Sequence, residues 1–99
     1  MENRIDYQKH AELLKSLAHP VRLEIVHGLL SVGCRNVRCM EIQTGMSQSS
    51  ISQHLQRLRT AGVVRADRIG NEVHYRAASQ RVATVVAALT GEEEESYVL

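Results

Sequence analysis

The sequence predicts a mainly α-helical fold with one small β-hairpin, in the order α-α-α-α-β-β-α. Apolar side chains recur at helical spacing through residues 7–61, and the period changes to two only at residues 72–77. The 99 residues have the length of a single domain. We expect one domain over residues 1–99, with its core in 7–90 and a loose acidic tail in 91–99.

The first two helices meet at a proline. Tyr7 and Leu14 lie on one apolar stripe of a predicted first helix over residues 7–18. Pro20 is disfavoured inside a helix but suits the first position of one. We therefore place a second helix over residues 20–31.

A short helix and a longer one follow. Residues 34–39 are predicted as a loop that leads into a short third helix, which Gly45 ends. Ser47 is a good N-cap for a fourth helix, placed over residues 47–61, because its hydroxyl can accept from an orphan backbone N–H. The residues that give this helix a buried face recur at helical spacing: Ile51, Leu55 and Leu58.

The alternation of period two predicts a β-hairpin over residues 63–77. Val73 and Tyr75 alternate with polar neighbours, and Gly70-Asn71 suits a tight turn. Ser79 is a candidate cap for a last helix. The apolar stripe of that helix is Val82, Val85, Val86 and Leu89.

Small polar side chains that no core requires crowd the start of the fourth helix. A short helix, a tight turn and this helix together make a helix-turn-helix, in which such an end enters the DNA major groove. Small side chains let the backbone approach the bases, and Gln can make paired hydrogen bonds to adenine. The predicted DNA-contacting residues of this helix are Ser47, Gln48, Ser49, Ser50, Ser52, Gln53 and Arg57.

The charge distribution supports a local nucleic-acid face. Residues 47–76 contain five arginines against two carboxylates, a net charge of +3, whereas the whole chain carries only +1. The hairpin would then be a wing, with Arg68 and Asn71 near its tip, because arginine favours narrow and negative minor grooves. The predicted fold is therefore a winged helix-turn-helix that binds double-stranded DNA.

Three blocks of the chain resemble a known family. "LLKSLAHPVRLEIVHGLL", "SQSSISQHLQRLRTAGVV" and "GNEVHYRA" together resemble the ArsR/SmtB family of bacterial winged-helix repressors, over residues 7–90. The resemblance implies a homodimer in which the first and last helices pack across the two-fold axis. It also implies a palindromic operator and release from DNA by an inducer, whose identity the sequence does not give.

The implied dimer interface draws on the first and last helices. Its candidate residues are Tyr7, Leu14, Val82, Val85, Val86 and Leu89. A small domain has little else against which to pack the stripe of its last helix. The alternative is that this stripe belongs to the core of the single chain.

The candidate sensor residues of this chain differ from those that metal-sensing members of the family share. Soft-metal members resemble one another in a Cys-x-Cys pattern in the third helix, where this chain has only Cys39, with Cys34 five residues earlier. The last helix lacks the Asp and His residues that zinc sensors of the family use, so we predict no metal site there and no cofactor. In a cytoplasmic protein both cysteines are expected to be free thiols.

Two sensory roles for the cysteines stay open beside that interpretation. Arg35 and Arg38 flank Cys34 and Cys39, and nearby positive charge favours the reactive thiolate. Oxidation of the pair would close a short loop and release the repressor from DNA. A soft-metal site on the same two thiolates would need at least a third ligand.

The histidines are expected mainly in structural, surface or cap positions. His54 is expected to be buried or bonded to the backbone rather than to read bases. His74 is expected to contact phosphate or solvent. The others, His10, His19 and His27, share no metal-ligand spacing and are expected at the surface or in helix caps.

These features favour a transcriptional repressor over the alternatives. The chain has no phosphate-binding Gly-rich loop, nucleophile elbow or paired carboxylates, so an enzyme is not expected. A winged helix used only for protein contacts would tend to lose the basic wing and the polar helix start, which are both present. No run approaches the ~20 apolar residues of a membrane span, and the protein is expected in the cytoplasm.

Overall fold

The computed structural model describes residues 4–31 and 35–91. Cys34 and the glutamates of the acidic tail lie outside the described residues. The elements are α1 (Tyr7–Leu17), α2 (Pro20–Ser31), α3 (Val37–Thr44), α4 (Gln48–Thr60), β1 (Val64–Ile69), β2 (Glu72–Ala77) and α5 (Gln80–Thr90). This order confirms the predicted fold class, a winged helix-turn-helix of five helices and a two-stranded antiparallel sheet.

Polar side chains cap the helices, beginning with Asp6, which caps α1 by accepting from the Lys9 N–H. Ser47 and Ser79 accept hydrogen bonds from the backbone N–H groups of the residues three positions on, as predicted for α4 and α5. Asn36 does the same for α3, because its Oδ1 accepts from the Cys39 N–H at 2.8 Å. The prediction of a loop through residue 39 is therefore wrong. Asn36 starts the helix at Val37 and places Cys39 inside it.

A histidine lies at the junction of α1 and α2 and bonds to the start of α2. α1 ends at Leu17, one residue earlier than predicted, and Ala18 leaves the helical conformation with φ −80° and ψ 58°. Pro20 is the first residue of α2, as predicted. His19 Nδ1 accepts a hydrogen bond from the backbone N–H of Val21 at 3.1 Å, so this side chain caps α2.

The core takes side chains from every helix and from the start of the hairpin. Its buried apolar residues are Leu17, Ile25, Val26, Leu29, Met40, Ile51, Leu55, Leu58, Val63, Val64, Val82 and Val86. Full burial of one of the larger aliphatic side chains contributes about 1.5–3 kcal/mol to the stability of the fold. The core lies behind α4, so the exposed side of α4 is free for contacts outside the chain.

The wing is attached to the helices at its base. β1 pairs with β2 from Val64↔Ala77 to Ile69↔Glu72, and Gly70 makes the turn with φ 64°. The backbone N–H of Tyr75 donates to the carbonyl of Arg35 at 2.7 Å. This bond joins β2 to the segment just before α3.

The described helices are short, from 8 residues in α3 to 13 in α4. Helices of this length are marginal alone in water, so their stability depends on packing. Within residues 4–31 and 35–91, none has the length and apolar character needed to cross a membrane.

Candidate nucleic-acid interface

The helix-turn-helix consists of α3, a turn and α4. Gly45 ends α3 with φ 75°, a left-handed conformation that glycine adopts without strain. The Met46 N–H donates to Thr44 Oγ1 at 3.1 Å, which closes the turn. One face of α4 is buried through Ile51, Leu55 and Leu58, so its opposite face is fixed toward solvent.

The predicted DNA-contacting residues of α4 divide into two sets. Gln48, Ser49, Ser52 and Gln53 have exposed side chains. Ser47 and Ser50 instead use their hydroxyls at the helix start. The Ser47 Oγ accepts from the Ser50 N–H at 3.2 Å and donates to the Ser50 Oγ at 3.2 Å. The first set is therefore available for base contacts, and the second set holds the helix end.

Arg57 lies to one side of this polar face. Its side chain is exposed and lines an open groove between α1 and α4, together with Glu12 and Lys15. Arg57 is thus suited to a phosphate at the edge of the major groove rather than to a base.

The tip of the wing presents Arg68 and Asn71 to solvent. Arg68 makes no ion pair with any residue in the described ranges. Elsewhere on the wing, Arg76 pairs with Asp67 at 2.9 Å, and His74 Nε2 lies 2.9 Å from Glu72 Oε1. His74 is half-exposed beside this exposed carboxylate, and its contact with phosphate stays a prediction.

Arg38 is a candidate that the sequence did not indicate as a DNA contact. Its exposed side chain lines a cavity of about 440 Å³ with Gln48 of α4. It also lines a second cavity, of about 300 Å³, with Glu72 and Val73 of the wing. Arg38 therefore lies between α4 and the wing. The sequence signal for this position is Asn36. It caps α3 and so places Arg38 in the first turn of that helix rather than in a loop.

A polar cluster lies behind α4. Arg22 is 8% exposed, and its Nη1 is 3.3 Å from Nδ1 of His54. Burial lowers the pKa of His54, and the nearby His19, Arg22 and Arg57 lower it further. His54 is half-buried and lies against Arg22 and His19, so it has structural contacts within the chain.

The candidate interface residues on α1 and α5 also divide. Tyr7, Leu14 and Leu89 are 74%, 55% and 64% exposed, so their side chains are accessible to a partner surface. Val82 and Val86 are completely buried in the single chain, and Val85 is half-buried. Assigning Val82 and Val86 to a dimer interface is therefore a mistake, because both already pack in the core.

The cysteines do not match the expectation of free thiols. Cys39 is half-buried in α3 and disulfide-bonded, whereas Cys34 lies outside the described residues. Within the described ranges, no three His, Cys, Asp or Glu side chains come together in a way that could hold a metal ion.

Comparisons with known proteins agree with this geometry. The family model "Bacterial regulatory protein, arsR family" matches residues 19–66. The chain is 34% identical to the transcriptional repressor PagR of Bacillus anthracis over 92 residues, which cover 90% of this chain and 92% of that protein. The chain belongs to the ArsR family. The HTH-type transcriptional regulator Rv0081 of Mycobacterium tuberculosis, described as uncharacterized, is 37% identical to this ArsR-family chain over 87 residues, covering 88% of this chain and 76% of that protein.

Solved structures share the fold of this ArsR-family chain. The solution structure of the homodimeric winged helix-turn-helix domain of Mb0332 from Mycobacterium bovis has a TM-score of 0.80 and 31% identity, covering 98% of this chain and 94% of that one. The crystal structure of PagR has a TM-score of 0.77, covering 84% of this chain and 94% of that one. The resemblance seen in the three sequence blocks is confirmed.

Proposed function

We propose that this protein is a sequence-specific transcriptional repressor that binds double-stranded DNA as a homodimer. One observation carries the proposal. The side chains of Gln48, Ser49, Ser52 and Gln53 are exposed on the first half of a helix whose other side is fixed in the core. Its relative PagR is described as a transcriptional repressor.

The exposed side of α4 is placed in the major groove. Gln53 is the residue best suited to a bidentate contact, since its amide can donate and accept at one adenine edge. Ser49 and Ser52 are small, so the helix can lie close to the bases. Arg57 contacts a phosphate from the edge of the groove.

The wing and α3 supply contacts to the backbone. Arg68 and Asn71 at the wing tip reach the adjacent minor groove or its phosphates. Arg38 lies between the wing and α4 and contacts a phosphate between the two grooves. These contacts fix the register of the protein on DNA, while α4 discriminates the sequence.

The homodimer is proposed to use α1 and α5. Tyr7, Leu14 and Leu89 are exposed apolar side chains on these two helices, and their burial in a partner subunit would remove apolar surface from water. A two-fold dimer places two α4 helices on successive major grooves, so a palindromic operator with half-sites about one helical turn apart is expected.

Release from DNA is proposed to follow oxidation of Cys34 and Cys39. In that reaction the two thiols lose two electrons and two protons to a peroxide such as hydrogen peroxide, which is reduced to two molecules of water, and the two sulfur atoms form one disulfide bond. The structure, in which Cys39 is disulfide-bonded, is then that of the oxidised chain, and reduction is proposed to raise the affinity for DNA. Cys39 follows Arg38 in the first turn of α3, and the carbonyl of Arg35 binds the wing. A covalent change at Cys39 therefore acts where α3, α4 and the wing meet. A soft-metal site is the less favoured alternative, because no third ligand lies at Cys39 among the described residues.

Selection of bound duplexes from a random pool tests the proposal. The expected product is a palindromic consensus whose half-sites lie about 10 base pairs apart, centre to centre. Recovery of duplexes without a consensus would contradict sequence-specific binding. Recovery of single half-sites would contradict the dimer.

A further inference from the structure

A polar cluster of Arg22, His54 and His19 holds α4 against the junction of α1 and α2. The Arg22 guanidinium is buried there. Its Nε donates to the carbonyl of Ser16 at the end of α1, and its Nη1 is 3.3 Å from His54 Nδ1. The His54 ring also packs on His19, with ring centroids 4.6 Å apart and planes tilted by 52°. These contacts join the side of α4 next to Gln53 to the helices behind it.

Hydrogen-bond chemistry fixes the protonation of His54 in this arrangement. A guanidinium has only donors, so the His54 Nδ1 facing Arg22 must be the acceptor. His54 is then neutral, with its single proton on Nε2.

A second proton on His54 disrupts this contact. The proton can bind only at Nδ1, where it removes the acceptor and places a second cation beside the buried Arg22. The side chains that lower the pKa of this ring, beside burial, are His19 at the junction, Arg22 on α2 and Arg57 on α4 itself. The other charged groups nearby, Glu12 and Lys15 of α1, line the groove beside Arg57.

The lowered pKa of His54 gives the direction of the effect. Because the pKa is lower in the folded protein than its ordinary value near 6.5, the folded arrangement binds fewer protons than the unfolded chain. The stabilisation is fully present above about pH 6.5 and is lost as the pH falls from there through the lowered pKa.

We propose that His54 is a positioning residue for DNA binding: in its neutral form it accepts from Arg22 and sets the orientation of α4, and its protonation lowers the affinity for the operator. The inference rests on the proposed binding of DNA through α4. The expected sign of the pH effect is distinctive, because added positive charge ordinarily strengthens binding to DNA. Here a proton weakens binding, since it acts on the contact behind the helix.

The test compares operator affinity at pH 7.5 and pH 5.5 at constant ionic strength, by fluorescence anisotropy with a selected duplex. We expect the wild-type affinity to fall at the lower pH, with a loss that grows as the pH approaches the lowered pKa of His54. His54→Asn keeps an acceptor oxygen near the Nδ1 position but does not titrate, so its affinity should change less than twofold. His10→Asn, a matched control on α1, should retain the wild-type ratio.

A second measurement reads the ring directly. A ¹⁵N NMR titration of the histidine side chains should show neutral His54 with its proton on Nε2 and a pKa below 6.5. A proton on Nδ1, or a pKa above 6.5, would overturn the inference. So would an equal pH ratio in wild type and His54→Asn when both bind the selected duplex at pH 7.5. Absence of any sequence preference by the wild type at pH 7.5 would overturn the proposed function as well.

Discussion

The carbonyl oxygen of Arg35 accepts a hydrogen bond from the backbone N–H of Tyr75 at 2.7 Å, which joins the segment before α3 to the second strand of the wing. Asn36 follows at once and caps α3. The wing and the helix-turn-helix are therefore fixed to one another through two successive residues. Arg38 lines one cavity with Gln48 of α4 and a second cavity with Val73 of the wing, so it lies between these two parts of the proposed surface.

Gln53→Ala should reduce sequence discrimination. If the amide makes a bidentate contact to adenine, the difference in binding free energy between operator and random DNA should fall by about 1–3 kcal/mol. Anisotropy titrations with both duplexes measure this difference. Gln80→Ala, which removes an exposed glutamine at the start of α5, is the control and should leave it unchanged. An unchanged difference in Gln53→Ala would show that other residues read the bases.

Arg68→Ala should weaken binding without changing specificity. A phosphate contact contributes equally on every sequence, so operator and random DNA should lose similar affinity. The slope of log affinity against log salt should become shallower by about 0.9. Arg81→Ala, on α5, should keep the wild-type slope. A loss confined to the operator would mean that Arg68 reads the sequence or shape of the minor groove.

Ile51→Ala should destabilise the fold. Ile51 is completely buried on the inner face of α4. Truncation of such a side chain lowers the free energy of unfolding by about 2–5 kcal/mol. Ile42 is a matched control, because it is also helical but 78% exposed, and Ile42→Ala should change that free energy by at most about 0.5 kcal/mol. Urea unfolding followed by circular dichroism measures both. Equal losses would refute the assignment of the core.

Leu89→Glu should dissociate the proposed dimer. A carboxylate placed on an apolar interface loses hydration without a partner, so the dimer dissociation constant should rise about tenfold or more, equivalent to ~1.4 kcal/mol. Sedimentation velocity over a concentration series gives this constant. Ile42→Glu adds the same charge on α3, outside the proposed interface, and should leave it unchanged. A dimer that tolerates both changes would exclude this face of α5.

Oxidation should lower the affinity for the operator if the cysteines act as a switch. The reduced wild-type protein should bind more tightly than the mildly oxidised protein. Cys39→Ser should bind equally well under both conditions, because it cannot form the disulfide. Equal binding by reduced and oxidised wild type would remove the switch and leave Cys39 with a structural role.

Local chemistry made much of this fold predictable. Pro20, Ser47 and Gly45 each act through their own backbone, as a first helical residue, a cap and a turn, so their roles follow from neighbouring sequence. The Asn36 cap is not part of the sequence prediction, which assigns residues 34–39 to a loop. Without this cap, Arg38 is placed in the loop rather than in the first turn of α3.

Contacts between distant segments were not predictable in the same way. An apolar stripe on α5 shows that a face is buried but not by what, so Val82 and Val86 were assigned to an interface although they pack in the core. Arg22 and His54 are 32 residues apart, and no periodicity connects them. The exposed polar start of α4 was predictable because nothing in a core requires it.

The ratio of operator to scrambled-duplex affinity tests the central proposal most directly. Both affinities should be measured between 50 and 200 mM salt, since the phosphate contribution falls steeply over this range. A sequence-specific repressor should prefer the operator by about 10³-fold or more, with both affinities falling as salt increases. Equal affinities at every salt concentration would show that the exposed face of α4 does not read DNA.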